Sequence, residues 1–97
     1  MSTPCVIVVE GNGDAGIYKH WDGYPEEMIP MLKMFIERFM DERGFMDESY
    51  LLARILIWMG ENDDSVTGFG IIDASNCFYC YKYIIKHDCS IEIIEDE

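Results

Sequence analysis

Between Tyr50 and Met59 only Arg54 is charged. A helix over this stretch is apolar almost all round, so the rest of the chain must fold in a way that buries it. Its ends carry their own signals. Asp47 can serve as N-cap, Met46 and Leu51 are spaced for a hydrophobic staple across it, and Gly60 reads as its stop. Whatever else the chain forms has to supply a covering layer for this helix.

The flanking segments read as that layer. Residues 5–9 form a short β-branched run suited to a buried strand. Residues 11–14 are dense turn chemistry, and 17–20 resume an extended pattern, giving a first hairpin. Pro25-Glu26-Glu27 opens a helix, with proline at its first position and carboxylates in its positive-dipole turn. Pro30 would cost that helix a hydrogen bond, so the helix either begins nearer Met28 or is kinked there. Beyond it Met28, Leu32, Phe35, Ile36 and Phe39 share a face, and Gly44 ends the helix. The last third reads as strands over 66–74, 78–86 and 89–94, with turns at 75–76 and 87–88. Residues 94–97 make an acidic tail. The expected fold is a single α+β domain over 1–97 in the order ββααβββ, an antiparallel sheet with two helices packed on one face.

Charge narrows the function classes. The 97 residues carry 19 acidic against 7 basic side chains, a net charge of −12. Such a field repels phosphates and anionic lipid and attracts basic partners, which argues against direct nucleic-acid or membrane binding. Charged residues break every apolar run short of the ~20 residues that span a bilayer, and residues 1–4 lack the pattern of a secretory signal. A cytoplasmic location is expected, with the four cysteines as free thiols.

Chemistry-bearing residues concentrate in His20-Trp21-Asp22-Gly23-Tyr24-Pro25. A His20–Asp22 pair on one face would be a general-base arrangement or half of a metal site. The same residues also make a plain turn, with Asp22 in an Asx-turn and Pro25 starting the helix. Cys77 and Cys80 form a C-x-x-C, but three apart in a strand they point to opposite faces, so no metal site is expected. Tyr79, Tyr81 and Tyr83 fall on one face of the expected 78–86 strand. That face suits a protein interface if partly exposed, or the domain's own helices if covered. Six methionines, Met28, Met31, Met34, Met40, Met46 and Met59, read mostly as core filling. No Ser–His–Asp or nucleophilic-cysteine arrangement can be assembled, and no cofactor is expected.

The run from Ile17 to Pro25 resembles a signature of small uncharacterised proteins of phages, prophages and other mobile elements. Those proteins continue with an amphipathic helix, a leucine-alanine-arginine helix core (here Leu51-Leu52-Ala53-Arg54) and a late strand of alternating tyrosines. The region around 66–76 and the cysteines depart from that pattern. The resemblance implies a viral or mobile-element setting, hence the host cytoplasm, and supplies no activity.

Two functional expectations follow. The first is a non-enzymatic domain that binds a basic or nucleic-acid-binding protein of the host through an acidic, nucleic-acid-like surface. Asp63, Asp64, the acidic tail and the tyrosine face would make that contact. The second is a ligand- or metal-binding domain, with hydrolysis as its extension, centred on His20, Trp21, Asp22 and Tyr24. An exposed sheet edge leaves a homodimer open.

Overall fold

The computed structural model describes residues 3–62 and 68–96. The candidates Asp63 and Asp64 lie outside the described residues. The elements run β1 (Cys5–Val9), β2 (Ala15–Lys19), α1 (Pro25–Arg43), α2 (Glu48–Asn62), β3 (Phe69–Asp73), β4 (Tyr81–Ile85) and β5 (Ile91–Glu95), the expected order. The five strands form one sheet, ordered β3-β2-β1-β4-β5.

The sheet is mixed, which corrects the antiparallel expectation. β1 and β4 run parallel, Cys5 opposite Tyr81 and Val9 opposite Ile85, while the other neighbours are antiparallel. The reason lies in β1, whose five residues are all apolar and all buried. A strand buried on both faces belongs at the centre of a sheet and needs a partner on each side. The tight hairpin supplies β2 on one side. The other side is filled by β4, reached from β3 through residues 74–80.

That connection is short for a parallel crossover, which commonly takes a dozen or more residues and a helix. Seven residues reach about 25 Å when extended, enough for a diagonal across two strands and no more. Backbone bonds tie both ends, Ala74 N–H to the Asp14 carbonyl at 2.7 Å and Cys80 N–H to the Pro4 carbonyl at 2.9 Å. In crossing, Ala74, Cys77 and Tyr79 cover Val6 and Val8, making a small second core with Tyr18, Ile72 and Ile84.

The main core lies on the other face. Cys5, Ile7, Val9, Ile17, Tyr83 and Ile85 meet Met28, Leu32, Phe35, Ile36 and Phe39 of α1 and Leu51, Leu52, Ile55, Trp58 and Met59 of α2. Both helices therefore pack on one face. Phe35 and Trp58 rings lie 5.1 Å apart, and the Arg38 guanidinium sits 4.8 Å over Trp58. The methionines divide: Met28 and Met59 are buried, Met31, Met40 and Met46 flank the core, and Met34 is exposed.

Several helix expectations change. α1 runs unbroken through Pro30, which faces solvent and forgoes one intrahelical bond. Gly44 caps it as expected, at φ 84°, with its N–H on the Met40 carbonyl at 2.8 Å. α2 is not buried all round, because Tyr50, Ala53, Arg54 and Ile57 form an exposed stripe. Tyr50 is used there: with Phe45 it sandwiches the Arg43 guanidinium at 4.6 and 4.8 Å. Arg43 also pairs with Asp47 at 2.8 Å, tying the end of α1 to the start of α2. Gly60 does not stop α2 but lies within it.

The strand ends also shift. β4 begins at Tyr81, so Tyr79 belongs to the crossover and faces the second core, opposite Tyr81 and Tyr83. Ile94 and Glu95 of the expected tail are in β5. The β4–β5 loop runs over 86–90 and is closed by Lys86 N–H on the Ser90 carbonyl, with Cys89 at φ 73°.

The two glycines on the helices should respond oppositely to alanine. At Gly60 a Cβ would meet only Phe69 Cζ at 3.6 Å, an ordinary contact, and at Gly44 it would have space but a left-handed backbone. Gly60→Ala should raise unfolding stability by about 0.5–1 kcal/mol, and Gly44→Ala should lower it by about 1 kcal/mol. Urea denaturation checks both; a loss at Gly60 would mean the helix ends there.

Candidate functional site

The turn at 20–25 is held by backbone geometry at its centre. Asp22 adopts φ 55°, a conformation aspartate tolerates better than most residues. Gly23 then passes so close to the N-terminal strand that a Cβ would lie 2.5 Å from the Thr3 carbonyl oxygen and 2.7 Å from Cys5 Cβ. Its N–H donates to Thr3 O at 2.7 Å, and its carbonyl accepts the buried Tyr83 hydroxyl at 2.6 Å. Tyr24 follows as the helix N-cap residue, its carbonyl taking the N–H groups of Glu27 and Met28.

Around that pin the expected site residues separate. His20 does not pair with Asp22, because β2 ends at Lys19 and the left-handed turn at Asp22 carries its carboxylate into solvent. His20 Nδ1 instead lies 2.8 Å from Tyr18 Oη, the residue two back on the same strand face. Trp21, half exposed, places its ring edge-on to His20 with centroids 4.5 Å apart. The Lys19 amine is held on the Trp21 carbonyl. The turn therefore lacks the histidine–carboxylate pair that a metal or hydrolytic site would use.

The tyrosine face divides likewise. Tyr83 is fully buried against the helices, so it offers nothing to a partner. Tyr81 stacks on it at 6.3 Å and is only partly covered. Tyr79, on the opposite face, packs on Val6 and Val8. What the structure brings together is Asp22, Tyr24 and Tyr81, with acids that residue spacing did not single out, while Trp21 packs on His20. Partial burial, then the charges of Asp22, Glu27 and Glu26, push the Tyr24 phenol up. Burial, then Glu95 and Glu26, do the same at Tyr81. Glu26, in the first turn of α1, is the charge that acts on both tyrosines, and Glu95 is the cross-strand partner of Tyr81 on β5.

A second polar group forms at the opposite end of β1, where β1 and β4 finish side by side. Lys86 Nζ lies 3.4 Å from Glu10 and 3.1 Å from Glu92. Hydrogen bonds to Glu92 and Glu10 hold its amine above the ordinary lysine value. His87 Nδ1 lies 3.0 Å from Glu48 at the start of α2, and Asn12 donates to the Glu48 carbonyl at 2.9 Å. These contacts clasp the β4–β5 hairpin to α2 and β1. Apart from the local Lys86–Glu92 pair, their residues are 36 to 76 positions apart, so no spacing in the sequence pointed to them.

Among the described residues no three histidine, cysteine or acidic side chains are grouped to hold a metal ion. No described helix is long and apolar enough to cross a membrane. The four cysteines are unpaired, Cys5 buried and the others partly so. Comparison with protein-family models, curated proteins and solved structures finds no match.

Two outcomes follow from the buried side of the turn. Gly23→Ala should destabilise the protein by about 3 kcal/mol, since backbone atoms must move to admit the methyl, and urea unfolding would show it. Burial also pushes the Cys5 thiol from 9.0 to about 12, only partly offset by Lys19. The folded state keeps that proton while the unfolded chain releases it. Its contribution is therefore complete below pH 9 and is lost as pH rises toward 12. Urea midpoints should fall with pH above about 9, and Cys5→Ala should flatten that fall.

Proposed function

We propose that this chain is a non-enzymatic interaction domain that binds a basic protein partner through the acidic–aromatic end of the molecule. The observation that carries this reading is the run of acids beside two partly buried tyrosines, Asp22, Glu26 and Glu27 acting on Tyr24 and Glu95 and Glu26 on Tyr81, with half-exposed Trp21 next to Asp22 in the chain. Aromatic side chains give large contact area at low entropy cost, and the acids around them select a cationic partner. The single cation placed by the turn, Lys19, is engaged with a backbone carbonyl. The resemblance of residues 17–25 to mobile-element proteins supports a partner in the host cytoplasm. A nucleic-acid-binding protein suits the charge, because the carboxylates would stand where phosphates normally sit.

The test separates this surface from net charge. Asp22→Lys combined with Glu26→Lys should weaken binding to an immobilised arginine- and lysine-rich peptide by about tenfold and flatten its salt dependence. Glu37→Lys with Asp41→Lys, the same charge change roughly 16–22 Å further along α1, should alter it much less. Equal losses from the two pairs would mean that only total charge attracts the peptide, and the assignment of the surface would fail.

A further inference from the structure

One edge of the sheet is open, and its geometry points to a mode of partner binding. Lys86 N–H bonds to the Ser90 carbonyl, and Asp96 N–H bonds to the Cys80 carbonyl. In an antiparallel pair the bonded positions alternate. Residues 90, 92, 94 and 96 therefore spend their backbone groups on β4, and the N–H and C=O groups of Ile91, Ile93 and Glu95 point outward. Residues 92–96 are exposed. We infer that β5 accepts an extended basic segment of the partner as a sixth strand; this rests on the proposed function and names how the partner binds.

Charge decides between occupants. Natural edge strands are commonly protected by lysine or proline, and β5, Ile-Glu-Ile-Ile-Glu, carries neither. Its Glu92 and Glu95, followed by Asp96, repel acidic segments and leave two isoleucines, Ile93 and Ile94, uncovered. Each position opposite a glutamate favours a cation, Glu95 more than Glu92, which already holds Lys86 at 3.1 Å, and each opposite an isoleucine favours an apolar residue. An antiparallel guest strand then reads basic, apolar, apolar, basic, apolar, facing Glu95 through Ile91. A second copy of this chain is the competing occupant. Paired about Ile93 it would set each glutamate opposite an isoleucine, but it would bring together two molecules of net charge −12.

The test uses a short synthetic peptide with lysine-valine-valine-lysine-valine at its centre, and a second peptide of the same composition with its lysines adjacent. The patterned peptide should bind at least about fivefold more tightly, the worth of roughly two cross-strand side-chain pairs that the other peptide mismatches. It should also shift the amide signals of Ile91, Ile93 and Glu95. Ile93→Pro removes an outward N–H without touching the β4 ladder and should abolish the preference, whereas Ile93→Ala should largely keep it. A thermal melt confirms that both variants fold. If both peptides bind alike, Ile93→Pro has no effect, and Asp22→Lys with Glu26→Lys still weakens them, the edge inference fails and the acidic surface stands. If none of these changes alters binding, both fail. A wild-type dimer in sedimentation that Ile93→Pro disperses would give the edge to a second copy and overturn the inference.

Discussion

Everything in this fold answers to the burial of β1 on both faces. A strand of cysteine, valine and isoleucine has no side to show to water, so it needs a neighbour along each edge and a cover over each face. The two helices cover one face. The other is covered by the crossover, which in most sheets would be a helix. Here a stretched peptide of alanine, cysteine and tyrosine does that work, because the second core beneath it is only two valines wide. The parallel β1–β4 pair is thus a consequence of where the cover had to run.

The same demand shapes the turn after β2. Gly23 touches the backbone beside β1, and its carbonyl receives the hydroxyl of Tyr83, a residue of the strand on β1's other side. An otherwise apolar core tolerates this phenol because its oxygen has a partner. The turn's inner side is therefore committed to the fold. Its outer side, Trp21, Asp22 and the first turn of α1, is left free of that duty, and Asp22, Glu26 and Glu27 stand exposed there.

The parts legible in the sequence were those set by neighbours along the chain. Element order, the Gly44 cap, the α1 core face and the proline start all follow from local spacing. Strand partners do not, since Ser75-Asn76 marks a turn without saying which strand the chain rejoins. That ambiguity hid the parallel pair, and starting β4 at Tyr81 broke the alternation that had grouped three tyrosines. The Tyr18–His20 contact obeys the two-residue logic that suggested His20–Asp22. Charge drew attention to the carboxylate, and the left-handed residue at Asp22 reversed the answer. Gly60 misled for a different reason: a glycine that would end an isolated helix is tolerated where the buried Trp58 and Met59 just before it hold the helix to the sheet.

The clasp between Tyr83 and Gly23 joins positions 60 residues apart. During synthesis the β1–β2 hairpin and both helices emerge before the strand that completes them. Until then β1 keeps one edge open, and the turn lacks the hydroxyl that fixes it. A nascent chain of this topology gains little from folding in pieces; its last third closes the sheet, and long-range closures of this kind slow folding. The protein is built to be finished late and all at once.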